Sequence, residues 1–471
     1  MAANPTSRLE RALDAYAQGF QRWLPSPFSI AVLLTLLAAL LALRQASATE
    51  VADAWTQGLW NPGLIRFGFQ AMFMLVLGHV LALAPPVLSA LRQAIHWIVK
   101  TPAHAPAKVA LLSMLTGWLN WGLGLIAGAI LVRGVMDRRR REGTESPLAT
   151  VPLGVLGAAG YTGLLVWHGG LGGSAPLKVA ESGHLASLVP QASWAGDLPD
   201  ALTLSDTALT GWSQVVTGAV MVAVVLTFVW LGRRLVVSSG NDLPAQAPER
   251  APSEKATVDG FAERLDAGRA VPYVLGVACL AGAVLWASQS GPWTQLAFVT
   301  PDWINMVLLG AALVAHGQVK GLLNALDDAI SGASGILVQF PLYFGIMGMV
   351  SGTGLGPWLA ESLVGATSAS WLPEALFVSS GVLNVFVPSG GGQWAVQGPL
   401  VLEACHALGV PFERGIMAMA FGDELTNMLQ PFWALPLLGI TGLSARDILP
   451  YTLLVMVVAG TVMLAFLSTW A

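Results

Sequence analysis

"NVFVPSGGGQW" runs from Asn384 to Trp394, with apolar sequence on both sides. A proline, a serine, consecutive glycines and a glutamine stand where a membrane helix would otherwise continue. Hydrocarbon offers an open backbone no water to bond to. Irregular chain at membrane depth therefore survives only when it is buried in protein or lines a watery cavity. The stretch predicts a bundle built around a break.

The surrounding composition is that of a membrane protein. The 471-residue chain is 55% hydrophobic and 11% charged, against about 25% charged in soluble domains. Apolar stretches recur from Phe28 to Trp470, many near the roughly 20 residues a spanning helix needs. The expected class is an all-α polytopic membrane protein, with the lipid bilayer as its surroundings. The 18 tryptophans suit interfacial belts and packed cores, and no nucleic-acid partner is expected. Cys279 and Cys405 have no metal-ligand spacing and imply no disulfide framework. Residues 1–27, with Arg8, Arg11 and Arg22, lack the short apolar core of a cleavable signal and read as a cytoplasmic or interfacial segment.

Spans are expected near 28–44, 64–84, 150–168, 208–231, 272–288, 302–316, 335–352, 411–442 and 447–468, about nine in all. Basic residues orient them. "RGVMDRRRRE" (Arg133 to Glu142) and the polar 233–269 stretch should lie in the cytoplasm, and the aspartate-bearing 189–206 loop outside. This ordering places the N-terminus inside and the C-terminus outside.

Two further apolar segments, 107–136 and 372–407, are interrupted in the middle. Lys108 and the arginine run put both ends of the first on the cytoplasmic side, which makes it a re-entrant hairpin; the second should enter from the opposite face. Their tips share Gly-x-Leu-Asn, in "GWLNW" (Gly117 to Trp121) and "GVLNV" (Gly381 to Val385). The order of elements also repeats with opposite orientation, the inverted-repeat plan of secondary transporters, in which broken helices meet at a midplane site. The expected division is 28–231 for one repeat (hairpin 107–136, broken helix 150–188) and 302–471 for the other (hairpin 372–407, broken helix 411–442). A linker at 232–271 and a connecting helix and loop at 272–301 lie between them.

The candidate site residues sit at these breaks. Asn120 and Asn384 are the tip amides, able to bind a carboxylate or a sodium ion, or alternatively to join helices. Trp121 and Gly122 follow the first tip, and Pro388, Ser389, Gly390, Gly391, Gly392 and Gln393 follow the second. The glycines let backbone amides approach a ligand, and helix N-termini after each tip favour an anion. "FGDELTNMLQPFWALP" (Phe421 to Pro436) is the second broken span. Asp423, Asn427 and Gln430 share a helical face there, with Thr426 beside them. "GLLVWHGGLGGSAPL" (Gly163 to Leu177) is the first, with His168, Gly169 and Ser174. His168 and Asp423 are the proton candidates. Carbonyls around Asn120 and Asn384 are the candidates for Na⁺. No other cofactor is expected.

"NVFVPSGGGQWAVQGP" (Asn384 to Pro399), "GDELTNMLQPFWALP" (Gly422 to Pro436), "WLNWGLGLI" (Trp118 to Ile126) and "LLVWHGGLGGSAPL" (Leu164 to Leu177) resemble the short-chain fatty acid transporters of bacteria, in order along essentially the whole chain. The resemblance implies uptake of acetoacetate, butyrate and similar small monocarboxylates, and kinship with ion-coupled anion transporters that use opposed hairpins and often an elevator motion. The chain departs from the family pattern at Glu424-Leu425, so the resemblance gives Glu424 no role. A monocarboxylate suits the site physically, because neutral donors line it and a co-transported cation would offset the anion's charge. Moving one net charge against 100 mV costs about 2.3 kcal/mol, so uptake into a negative-inside cell needs coupling to H⁺ or Na⁺. The alternatives are a transporter of another small carboxylate, an anion channel, and an intramembrane hydrolase using Ser389 and His168 as a dyad. A dyad leaves the paired asparagines unexplained, so no enzyme is expected. The oligomeric state stays open, a homodimer included.

Overall fold

The computed structural model describes residues 27–143, 146–189, 192–235, 243, 260, 268–293, 298, 300–356, 358, 367–388 and 390–469. The expectations for the N-terminal segment, for most of the 232–271 linker and for Ser389 lie outside those residues. Among the described residues the secondary structure is entirely helical.

Helices form where the apolar runs predict them. Pro27–Ala42, Pro62–Ala82, Gly211–Arg234, Ala270–Gln289, Pro301–His316 and Ala445–Leu467 each lie on an expected span. Local chemistry sets their starts. The Asn61 side chain accepts the Leu64 N–H ahead of Pro62, and Thr300 accepts the Trp303 N–H ahead of Pro301. Both are N-caps followed by a proline whose missing N–H has no helical partner to lose. Gly211–Arg234, Ala270–Gln289 and Ala445–Leu467 are long and apolar enough to cross a membrane unaided. Their outward faces carry bare apolar side chains, with Val274 72% exposed and Leu226 61% exposed. Such surfaces need a covering of lipid or protein.

Three features depart from the sequence expectation. The helix expected over 335–352 runs from Val319 to Gly352, over 34 residues and through Pro341. The arginine run is not a loop but the last turns of Trp121–Glu142, where basic groups suit the helix C-terminus. There Arg133 lies 3.1 Å and Arg140 2.9 Å from Asp137, and Arg139 donates to the Val151 carbonyl at 3.1 Å. Two amphipathic helices, Ala48–Leu59 and Pro85–Val99, were not anticipated. The first opens on a capping box between Ser47 and Glu50 and packs on the long helix backbone to backbone. A Cβ at Gly58 would lie 2.4 Å from the Phe344 carbonyl oxygen.

Each interrupted segment forms two helices that fold back on one another. Ala105–Leu119 ends at Asn120, and Trp121–Glu142 returns along it, with Ser113 Oγ 3.3 Å from the Gly124 carbonyl oxygen. Leu372–Phe386 is followed by Gly390–Leu408, and Gln393 Nε2 donates to the Ser380 carbonyl at 2.9 Å across the fold. The glycines after the second tip are not an open loop, because Gly390 begins the helix. Between these pairs lie the two broken segments. Every residue from Gly415 to Thr426 is buried, as is every residue from Leu164 to Gly170.

Candidate functional site

The second broken segment is a helix stopped twice. Phe412–Thr426 passes into a single 3₁₀ turn, Asn427–Leu429, and Pro431 starts a new helix to Thr441. Proline cannot donate its missing N–H, so carbonyls before it lose their helical partners. Other groups replace them. The Tyr161 hydroxyl lies 2.8 Å from the carbonyl oxygens of both Asn427 and Gln430 and shares its proton between them. Thr452 Oγ1 donates to the Met428 carbonyl at 2.7 Å.

The first broken segment is Leu153–Tyr161, a 3₁₀ turn Thr162–Leu165, and an irregular stretch through Gly173. Its backbone is satisfied in the same way. Ser113 Oγ donates to the Gly160 carbonyl at 2.8 Å and accepts the Gly163 N–H at 3.1 Å. Trp118 Nε1 and Gln214 Nε2 both donate to the Gly169 carbonyl, at 3.0 and 2.7 Å. Close approach requires glycine here: a Cβ on Gly128 would sit 2.0 Å from the Gly160 carbonyl oxygen.

The two breaks meet. Glu424 Oε2 accepts the backbone N–H of His168 at 2.7 Å. His168 Nε2 lies 2.5 Å from Asp423 Oδ2, with His168 0% and Asp423 1% exposed. The second hairpin closes on this pair, since a Cβ at Gly390 would lie 2.9 Å from His168 Nε2 and 3.0 Å from Asp423 Oδ2. A Cβ at the next residue, Gly391, would meet nothing within 4 Å.

A second set of contacts surrounds Asn384. Its Nδ2 lies 2.6 Å from the Asp423 carbonyl oxygen, 2.9 Å from Thr426 Oγ1 and 3.2 Å from Asn427 Oδ1, and its two N–H groups are shared among these three acceptors. Gln430 Nε2 donates to the Asn384 carbonyl at 2.6 Å. These contacts fix which end of each amide is nitrogen. Among the described residues they leave Asn384 Oδ1, Gln430 Oε1 and Asp423 Oδ1 buried without a hydrogen-bond partner, together with His168 Nδ1 and Trp167 Nε1. A buried polar atom left unpaired costs about 1–3 kcal/mol. So many in one place describe a site that can receive both acceptors and donors from a ligand.

The profile of the family described as "Short chain fatty acid transporter" matches residues 7–469. The chain belongs to the short-chain fatty acid transporter family. A relative from Escherichia coli (strain K12) is 34% identical over 94% of this chain and 95% of its own length. One from Haemophilus influenzae (strain ATCC 51907 / DSM 11121 / KW20 / Rd) is 31% identical over the same shares. Both bear the family's name. The solved structure of the Alcanivorax borkumensis YdaH transporter aligns over 95% of this chain and 98% of its own at 17% identity, with a TM-score of 0.47.

In this short-chain fatty acid transporter the residues singled out from sequence fall into separate groups. His168, Gly390 and Asp423 come together, and so do Asn384, Thr426, Asn427 and Gln430, with Asp423 shared between the groups. Asn120 is not among them. It caps the helix that follows it, accepting the Leu123 N–H at 3.0 Å, and its Nδ2 lies 3.7 Å from Met74 Sδ. The two tip asparagines thus have different partners, despite the shared motif. Trp121, Gly122 and Gly172 accompany Asn120: the Trp121 ring stands 5.2 Å from Trp433, and Cβ atoms on Gly122 and Gly172 would approach Asn120. Gln393 joins Ser380 and Gln397 inside the second hairpin. Gly169 packs on Thr217. Pro388 is buried between the hairpin helices, Gly392 stands in the first turn of the second, and Ser174 opens a short helix to Val179.

Sequence reasoning missed Tyr161, Trp167 and Ser113, and it named Glu424 beside Asp423 without assigning it a role. Glu424 carried a signal, since a carboxylate in an apolar run is functional by default. The others look like ordinary apolar-helix residues until the breaks are paired.

Proposed function

We propose that this transporter is a secondary active carrier that moves short-chain fatty acids, such as acetoacetate and butyrate, across the bacterial cytoplasmic membrane by cation-coupled symport. The opposed helical pairs would enter from opposite faces as re-entrant hairpins of an inverted repeat and travel in an elevator-type motion around the site.

One observation carries the reading: the junction of the two breaks holds buried amide and carboxylate oxygens whose neighbours leave them without donors, beside a buried His168–Asp423 pair. The site already contains Asp423 and Glu424, at 1% exposure each. An arriving carboxylate adds a third acid to a place with little water, so it must travel with positive charge. His168 with Asp423 suits a proton. The orphaned oxygens of Asn384, Gln430 and Asp423 suit Na⁺, a cation that takes oxygen ligands. The cationic side chain nearest the motif blocks, Lys178, is engaged by Glu181 at 2.8 Å, so the substrate would be held by neutral donors and could still be released.

Purified protein in liposomes tests this. Labelled acetoacetate and butyrate are offered under an imposed Na⁺ gradient and, separately, an imposed pH gradient. Concentrative uptake under at least one gradient is expected; equilibration that ignores both would overturn cation coupling.

A further inference from the structure

A piece of the first half of the chain lies against the second hairpin and belongs to neither hydrogen-bond network of the site. Gly390, Trp394 and Gly398 recur every four residues along Gly390–Leu408 and so share one face of that helix. Gly390 closes on the His168–Asp423 pair. One turn on, the buried Trp394 donates its Nε1–H to His184 Nε2 at 2.9 Å. One turn further, a Cβ at Gly398 would lie 3.1 Å from Leu188 Cδ1. Towards the end of the same helix the Trp194 ring stacks on His406, with 4.3 Å between centroids and 9° between planes, and stands 6.4 Å from Phe412. Residues 174–189 and 192–207 thus meet the hairpin helix from Trp394 to His406, as a strap.

The strap is braced on itself. Ser182 Oγ donates to the Asp200 carboxylate at 2.7 Å, the Gly183 N–H to the Asp200 carbonyl at 2.9 Å and the Leu202 N–H to the Val179 carbonyl at 2.8 Å. Its bond to the hairpin carries a condition. An indole Nε1–H only donates, so His184 Nε2 must be an unprotonated acceptor; an imidazolium has hydrogen on both nitrogens and cannot accept. His184 is half-buried, within reach of solvent. The charges that act on it are Glu181 and Lys178 of the strap, 2.8 Å from one another, and the hairpin helix presents it with the uncharged indole.

We infer that this strap latches the second hairpin closed over the His168–Asp423 pair, that the hairpin parts from it in each transport cycle, and that a proton on His184 releases the bond from Trp394. The inference rests on the transport reading above and adds the contact that gates it.

Exchange of labelled butyrate across liposomes, at equal pH on both sides and with permeation through protein-free liposomes subtracted, tests the latch in two ways. Trp194→Cys with His406→Cys, in a background lacking Cys279 and Cys405, puts a thiol on each side of the ring stack, at one half-buried and one exposed position. Bridging the two with a short bis-maleimide should stop exchange, while each single-cysteine variant treated alike keeps its rate. His184→Gln keeps an acceptor that does not titrate. The ratio of wild-type to His184→Gln rates cancels whatever His168 contributes. It should rise about fivefold, the effect of losing one neutral hydrogen bond, as pH falls through histidine's ordinary value of about 6.5. If His184→Gln fails to fold, the bridge decides. A bridged protein that exchanges at its unbridged rate, or a ratio flat with pH, would overturn the latch. Wild-type protein that exchanges no butyrate at any pH would overturn the transport reading instead.

Discussion

Glu424 Oε2 accepts the backbone N–H of His168 at 2.7 Å, so a carboxylate from the second broken segment holds the open chain of the first. The next residue back, Asp423, holds the same histidine by its ring at 2.5 Å. Consecutive acids on one helix therefore grip one residue by its backbone and its side chain. Any movement of one half against the other must break or carry this contact.

Glu424→Ala leaves the His168 N–H buried and unpaired. A loss of about 1–3 kcal/mol in stability is expected, read as a lower midpoint in a thermal unfolding series of the detergent-purified protein. Glu424→Gln keeps an acceptor oxygen and should recover most of it. Equal losses in both variants would show that the charge, not the hydrogen bond, matters.

Adjacent glycines give a matched pair. Gly390→Ala would place a methyl within 3.0 Å of His168 and Asp423, whereas Gly391→Ala meets nothing within 4 Å. Both gain the same helix propensity, up to about 1 kcal/mol. Transport should fall about tenfold or more in Gly390→Ala, the effect of disturbing a buried bond worth about 1–3 kcal/mol. Gly391→Ala should insert normally, keep its transport activity and have a thermal stability equal to or above the parent's. The opposite ranking would remove Gly390 from the site.

If His168 carries the coupling proton, His168→Gln should abolish accumulation driven by a pH gradient while leaving substrate exchange at equal pH largely intact. Unchanged pH-driven accumulation in that variant would take His168 out of the coupling step, and sodium-driven uptake would then point to the Asn384 and Gln430 oxygens.

Orientation is open to single-cysteine labelling in a background lacking Cys279 and Cys405. An impermeant maleimide added to intact cells should modify a cysteine at Asp197 and leave one at Arg140 untouched. Labelling at Arg140 would invert the proposed topology.

Much of this was visible in the sequence for identifiable reasons. Breaks in membrane helices need glycine, proline and amides, so "VPSGGGQW" and "NMLQP" mark themselves against an apolar background. Asp423 and His168 stand out because charge is costly there. What satisfies the breaks was not visible. Tyr161 bridges the Asn427 and Gln430 carbonyls from 266 and 269 residues away, and Ser113 serves Gly160 and Gly163 from the neighbouring hairpin. No local pattern encodes such pairings. The sequence treats Asn120 and Asn384 alike, and the structure gives them different partners for a related reason. A shared Gly-x-Leu-Asn fixes backbone position, whereas partners depend on what the rest of the fold presents: a methionine sulfur to one, a cluster of carbonyl and side-chain oxygens to the other.

Counterflow tests the central claim most directly, because only a carrier with a site that alternates between faces can show it. Liposomes containing the purified protein are loaded with unlabelled butyrate and diluted into a trace of labelled butyrate, with no ion gradient imposed. The account predicts a transient internal accumulation of label above the outside concentration, saturable and slowed about tenfold or more in Gly390→Ala. Label that rises only to equilibrium, at a rate independent of the internal load, would contradict it.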